Sequence, residues 1–259
     1  MEKRPNFALS TELVNDQDLI FGTRAVLEAI RAGREIENLL VQRDLNNDLI
    51  RELKAEAAAN EITYHKVPVE KLNRITKKNH QGVICFLSPI RYAPIQEVLA
   101  HTFELGRMPL VVVLDRVTDV RNFGAIARTA ECLGADAIVI PSRGSARINA
   151  DAMKTSAGAL NYLPVCREDN LKDTLRFLKD SGLQVVACTE KAASPIAESD
   201  LIGPVALLMG SEEDGISGEY LKLADTRALV PMLGQVGSLN VSVATAICLY
   251  EVVRQRGQK

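Results

Sequence analysis

The chain has 259 residues, enough for one large or two modest domains, and 47% of them are hydrophobic, so it can bury a real core. Aromatic residues make up only 4% and Trp is absent, which makes that core aliphatic. A formal net charge of -2 excludes a nonspecific polycation and leaves any anion-binding face local. The five cysteines, Cys85, Cys132, Cys166, Cys188 and Cys248, are scattered with no CxxC pair. That pattern fits free buried thiols in a reducing compartment, with no metal expected. The opening MEKRPNFALSTELVND has no apolar stretch of signal-peptide length, and no uncharged apolar run is long enough to span a bilayer. A soluble, cytoplasmic protein is expected.

In chain order, residues 1 to about 17 are polar and expected to be loose. Residues 20–33, IFGTRAVLEAIRAG, predict a helix in which Val26, Leu27 and Ile30 share a face and Gly33 is the stop. Strand 37–41, helix 49–59, strand 62–66, helix 69–76 and strand 83–87 follow, and the alternation predicts a small α/β domain over 1–88. Pro89, Pro94 and Pro109 surround a short helical piece, so 89–108 reads as a linker. A stronger pattern then restarts over 109–259. Strand 110–115, helix 123–133, strand 137–140, helix 149–157, strand 164–166, helix 171–179 and strands 183–188 and 205–210 lead to a last strand, loop and helix. Continuous apolar strands between helices predict a parallel sheet covered on both faces.

Three stretches of this second half combine residue types suited to chemistry. In 115–136, DRVTDVRNFGAIARTAECLGAD, Asn122, Gly124 and Arg128 follow a strand end and open a helix, with Asn122 a candidate cap. In 207–217, LLMGSEEDGIS, a buried strand breaks into an acidic loop, where Gly210 permits a sharp turn and Glu212 is placed to project into the same crevice. In 228–256, a strand stopped by Pro231 leads through Gly234 and Gly237 to Ser238 and Asn240, both capping types, and then to a long apolar helix. Exposed amides running into a helix N-terminus suit an anionic or acceptor-rich ligand. Each stretch alone also has a plain account, as a capped helix, an acidic surface turn or an ordinary strand-loop-helix.

Taken together, NFGAIAR (122–128), LLMGSEEDGI (207–216) and VPMLGQVGSLNVSVATAICLYEVVRQR (230–256) resemble the motifs of the SpoU branch of SPOUT RNA 2'-O-ribose methyltransferases. The first part, with IFGTRAVLEAI (20–30) and NHQGVICFLSP (79–89), resembles the ribosomal-protein-like RNA-binding domain of the large-subunit rRNA guanosine methyltransferases of that family. The acidic loop departs from the family, reading GSEEDG where a second glycine often follows the first Glu. The resemblance implies a C-terminal α/β SPOUT domain with a deep trefoil knot, its last helix threaded through 205–230. It also implies S-adenosylmethionine held by Met209, Gly210, Val230, Met232, Ser238 and Leu239. Arg128 with Asn122, Glu212, Ser238 and Asn240 would form the catalytic pocket.

No His lies in the second half, since His65, His80 and His101 all precede it. A guanidinium is a poor base, so Arg128 is read as an electrostatic clamp on the hydroxyl or a phosphate, with the identity of the base open. RNA, 23S rRNA before tRNA, is the expected partner, without DNA or membrane. Candidate phosphate contacts are Arg116, Arg121, Arg143, Arg147 and Lys154, with a second basic patch at Lys71, Arg74, Lys77, Lys78 and His80. The family pairs as homodimers, and the apolar helix 241–253 suits such an interface or burial within one subunit. A non-catalytic RNA-binding or ribosome-assembly protein is the alternative from another class. A Rossmann dehydrogenase is disfavoured because 110–115 is followed by no glycine fingerprint.

Overall fold

A computed structural model describes residues 19–257, so the expectation of a loose 1–17 lies outside the described residues. The chain divides at Arg91 and Tyr92 into two compact units.

The first unit is built on a four-stranded sheet. Its elements are β1 (Leu19–Phe21), α1 (Thr23–Arg31), β2 (Ile36–Gln42), α2 (Asp48–Ala59), β3 (Tyr64–Val67), α3 (Val69–Ile75) and β4 (Val83–Leu87). The strand order is β1-β4-β2-β3, antiparallel except for β2 with β3. Alternation along β2 sends Leu39 and Val41 to a core with Val26, Ile30, Ile50 and Leu53, and Leu40 to a smaller cluster with Leu72 and Ile84. Asn47 caps α2 by accepting from the Ile50 N–H at 2.9 Å. The helix expected over 20–33 is shorter, because Leu19–Phe21 pairs with β4 as a strand. Three residues are too few to show a period, and their partner lies more than sixty residues away.

The second unit carries a seven-stranded sheet. Its elements are α4 (Ile95–Glu104), β5 (Leu110–Leu114), α5 (Val120–Cys132), β6 (Ala137–Pro141), α6 (Ala150–Thr155), β7 (Val165–Glu168), α7 (Leu171–Asp180), β8 (Gln184–Cys188), β9 (Ser194–Pro195), β10 (Val205–Met209), α8 (Gly218–Leu221), β11 (Thr226–Leu229) and α9 (Val241–Arg256). The strand order is β7-β6-β5-β10-β8-β11-β9, and every pairing is parallel. β5 and β10 are buried along their whole length, as their unbroken apolar runs require. α4 and α7 pack on one face through Ile95, Val98, Leu99, Leu171, Leu175 and Leu178. α5 and α9 pack on each other, and α9 also meets β10.

Three expectations are corrected here. From Tyr92 onward, 89–108 is not a linker: α4 is part of the second unit's core, and the Ala93 N–H donates to the Val165 carbonyl at 2.9 Å. Pro94 sits at the N-cap of α4, where a missing N–H is harmless, so it starts this helix. α5 begins earlier than expected, and its cap is Asp119, which accepts from the Asn122 N–H at 2.8 Å. Finally, Cys132 is exposed, while burial pushes the Cys85 and Cys166 thiols up to about 12 and leaves them unreactive.

Candidate functional site

The three motif stretches leave the parallel sheet at the carboxyl ends of β5, β10 and β11, the edge where such sheets bind ligands. From β5 the chain runs through Asp115 and Arg116 to the first turn of α5, which holds Asn122. After β10, Gly210 leads into a tight turn closed by paired backbone bonds between Ser211 and Gly215. From β11 an exposed loop reaches Asn240, which caps α9 by accepting from the Ser242 and Val243 N–H groups.

These three arrivals meet at one carboxylate. Glu212 Oε1 accepts from Asn240 Nδ2 at 2.7 Å and from Asn122 Nδ2 at 3.0 Å. Asn240 Nδ2 also donates to Asn122 Oδ1 at 3.0 Å, which closes a triangle. Residues 122, 212 and 240 come from separate elements, so the triangle exists only in the folded unit. Because charge-assisted bonds are the stronger kind, the Glu212 carboxylate fixes both amides.

Two cavities flank Glu212. One, of about 300 Å³, is lined by 188–191, 209–216, 237–239, Val241 and Ala244. Its wall mixes apolar groups (Met209, Ile216, Leu239) with loop backbone, the carboxylates of Glu190 and Glu212–Asp214 and the single ammonium of Lys191, an acceptor-rich lining suited to a ligand with an apolar body and positive charge. The other, of about 290 Å³, is lined by 116–119, Asn122, Gly144, 211–214 and Val241. Glu212 belongs to both walls.

The predicted residues divide accordingly. Met209, Gly210, Glu212, Ser238 and Leu239 line the first cavity, and Asn122 and Glu212 the second. Val230 and Met232 line neither, and Arg128 stands exposed on α5 outside both. Arg116 and His80 already have partners within the protein. Arg116 is paired with Asp115 and Asp214, and the bond to Asp115 raises its guanidinium above the ordinary arginine value. His80 is buried, its Nδ1 accepting from the Gly82 N–H at 3.0 Å and its Nε2 facing Asn73 Oδ1 at 2.9 Å. Arg121, Arg143, Arg147 and Lys154 are exposed, as are Lys71, Arg74, Lys77 and Lys78.

Sequence reasoning missed the segment 188–191 after β8. Its signal was present, since an apolar strand ends there in the same parallel sheet, but no glycine marks the turn. Cys188 forms part of that wall, and hydrogen bonding with Cys248 of α9 raises its thiol well above the ordinary range.

A wholly parallel sheet with two cavities at its carboxyl edge, both lined by the Glu212 of a polar triangle, defines an α/β ligand-binding protein. The family model described as the SpoU rRNA Methylase family matches residues 109–250, and the one described as RNA 2'-O ribose methyltransferase substrate binding matches 19–93. The chain belongs to the SpoU methylase family. A putative TrmH family tRNA/rRNA methyltransferase of Staphylococcus saprophyticus is 34% identical over 93% of this chain and 97% of that protein. An uncharacterized tRNA/rRNA methyltransferase of Synechocystis is 36% identical over 93% of the chain, which spans 63% of that relative's length. Among solved structures, the AdoMet-bound rRNA methyltransferase of Sinorhizobium meliloti is 28% identical, with a TM-score of 0.59 over 91% of this chain and 86% of that one. The SpoU methyltransferase AviRb of Streptomyces viridochromogenes, in complex with AdoMet, is 25% identical with a TM-score of 0.59, over 93% and 91%.

Proposed function

We propose that the protein transfers a methyl group from S-adenosylmethionine to a ribose 2'-hydroxyl, of a guanosine, in 23S rRNA. The observation that carries this reading is the Asn122–Glu212–Asn240 triangle, whose Glu212 lines two cavities. One cavity serves the cofactor and the other the acceptor nucleoside, so Glu212 lies where the two reactants meet. S-adenosylmethionine bound in the first cavity would supply a methyl on a sulfonium, and the 2'-hydroxyl accepting it would release its proton to solvent.

The chain contributes positioning and charge, which together supply much of the rate in such displacements. The carboxylates of Glu190 and Glu212–Asp214 favour the positive ligand, and Asn122 and Asn240 hold Glu212 toward the acceptor. Arg128, exposed on α5, binds a phosphate of the RNA. Lys71, Arg74, Lys77 and Lys78 of the first unit form the RNA-binding face.

Coverage favours rRNA over tRNA. The A. aeolicus TrmH/SpoU tRNA modifying enzyme and a tRNA C/U34 methylation structure cover 63% and 59% of this chain, against 91% for the S. meliloti rRNA methyltransferase. A homodimer and the trefoil knot belong to the same reading. For the knot, the support is that the end of α9 is tied to the 199–203 segment, through Gln255 to Ser199 and Leu201 and through Arg256 to Gly203. An experimental structure with α9 outside the 205–230 loop would remove it.

The deciding assay measures labelled methyl transfer to unmodified 23S rRNA and, separately, to unmodified tRNA, with Arg128→Ala and Lys77→Glu/Lys78→Glu beside wild type. Label on rRNA is expected, lost in Arg128→Ala. The lysine variant should bind RNA more weakly with a flatter salt dependence, at unchanged cofactor affinity. Label on tRNA alone would overturn the substrate, and no label with RNA still bound would leave a binding protein.

A further inference from the structure

The acidic turn that presents Glu212 is not held by its own backbone alone. Asp115, buried at the end of β5, donates its N–H to the Met209 carbonyl at 2.8 Å and accepts from the Ser217 N–H at Oδ2 at 2.7 Å. Its Oδ1 accepts from Arg116 Nε at 3.0 Å. Arg116 then reaches across to the turn, with Nη1 on Asp214 Oδ2 at 2.9 Å and Nη2 on the Gly215 carbonyl at 3.3 Å. That carbonyl also accepts from the Ser211 N–H, so the guanidinium grips the bond that closes the turn. To do this the Arg116 backbone takes φ 59°, a left-handed conformation that glycine adopts freely and arginine does not. Strain of this kind persists only where surrounding contacts over-determine it. The turn also carries three consecutive carboxylates, Glu212, Glu213 and Asp214, whose mutual repulsion favours opening. Arg116 offsets the one nearest to it and does not touch Glu212.

We propose that Arg116 is a positioning residue: clamped by Asp115, it fixes the 211–215 turn and thereby sets the Glu212 carboxylate against Asn122 and Asn240. The catalytic consequence rests on the methyltransferase reading of this site; the clamp itself does not.

The test uses the full chain with Arg116→Gly, which suits the left-handed backbone and removes only the side chain, and Arg116→Lys, which keeps the charge but not the fork. Hydrogen exchange of the free protein should show the Ser211, Asp214, Gly215 and Ser217 amides exchanging roughly tenfold faster in Arg116→Gly, with intermediate values in Arg116→Lys. Single-turnover methyl transfer should fall by roughly 10- to 100-fold, the scale on which a displaced reacting group costs rate. In a Glu212→Gln background the same substitution should lower the rate no further, because Arg116 acts through Glu212. Unchanged exchange overturns the clamp, whatever the rate does. Faster exchange with an unchanged rate, or additive losses in the double variant, overturns the positioning role. If wild type transfers no methyl, the proposed activity falls, and the exchange result alone decides for or against the clamp.

Discussion

Gly210 shows how a residue can be noticed in a sequence for the wrong physical reason. Its place after a buried strand suggests a glycine needed for a sharp turn, yet its φ is not in the left-handed region. What it needs is space. A Cβ there would lie 2.2 Å from the Gly215 carbonyl carbon and 2.3 Å from the Ile216 nitrogen, backbone atoms of the turn that carries Glu212. Gly215 is the opposite case, with φ 70° and nothing within 4 Å of where a Cβ would stand. Gly210→Ala should therefore cost about 3 kcal/mol or more by overpacking, and Gly215→Ala about 1 kcal/mol from backbone strain alone. Denaturant midpoints of the two variants check this; equal costs would sink the steric account. Long-range approach of this kind cannot be read from local sequence, and Arg116 misleads for the same reason, looking like a free cation until the fold supplies Asp214 from 98 residues away.

At the scale of elements, legibility followed burial. β5, β6, β8 and β10 stand out as apolar runs because both faces of the sheet are covered, whereas β9 has two residues and no pattern. The start of α9 was legible because capping is local: Asn240 lies two and three residues from the amides it serves. Its second role was legible only through the resemblance of the motifs, since Nδ2 reaches partners 28 and 118 residues away. Asn240→Asp separates the two roles. The new carboxylate still caps the helix, so stability should stay within about 1 kcal/mol of wild type. It removes the donor to Glu212 and sets two carboxylates together, which cannot both ionise comfortably. Methyl transfer should fall strongly and recover partly as pH is lowered, because a proton shared by the pair restores a donor. A rate profile matching wild type at every pH would show that the amide has no part in the site.

For the whole molecule, α9 carries an apolar stripe that a single chain leaves uncovered. Val241, Cys248, Leu249 and Val252 are buried, yet Val243, Ile247, Tyr250 and Val253 are exposed, at spacings that place them along one stripe. The adjoining loop exposes Leu233 and Val236 almost completely. A contiguous exposed apolar stripe marks an interface. The sequence leaves open whether 241–253 is buried within one subunit or between two; the structure buries one side of it and leaves this stripe facing outward. A second copy is the proposed cover, since a two-fold pairing lets the same stripe meet itself. Ile247→Asp with Tyr250→Asp should shift the protein from dimer to monomer, because a central interface side chain replaced by a charge costs roughly 2 kcal/mol or more. The unfolding midpoint should fall and lose its dependence on protein concentration, because pairing of folded copies stabilises them by mass action. Sedimentation equilibrium at micromolar protein reads the mass directly. A wild type that sediments as a monomer would leave the stripe to some other partner, and a double variant that stays dimeric would place the interface elsewhere.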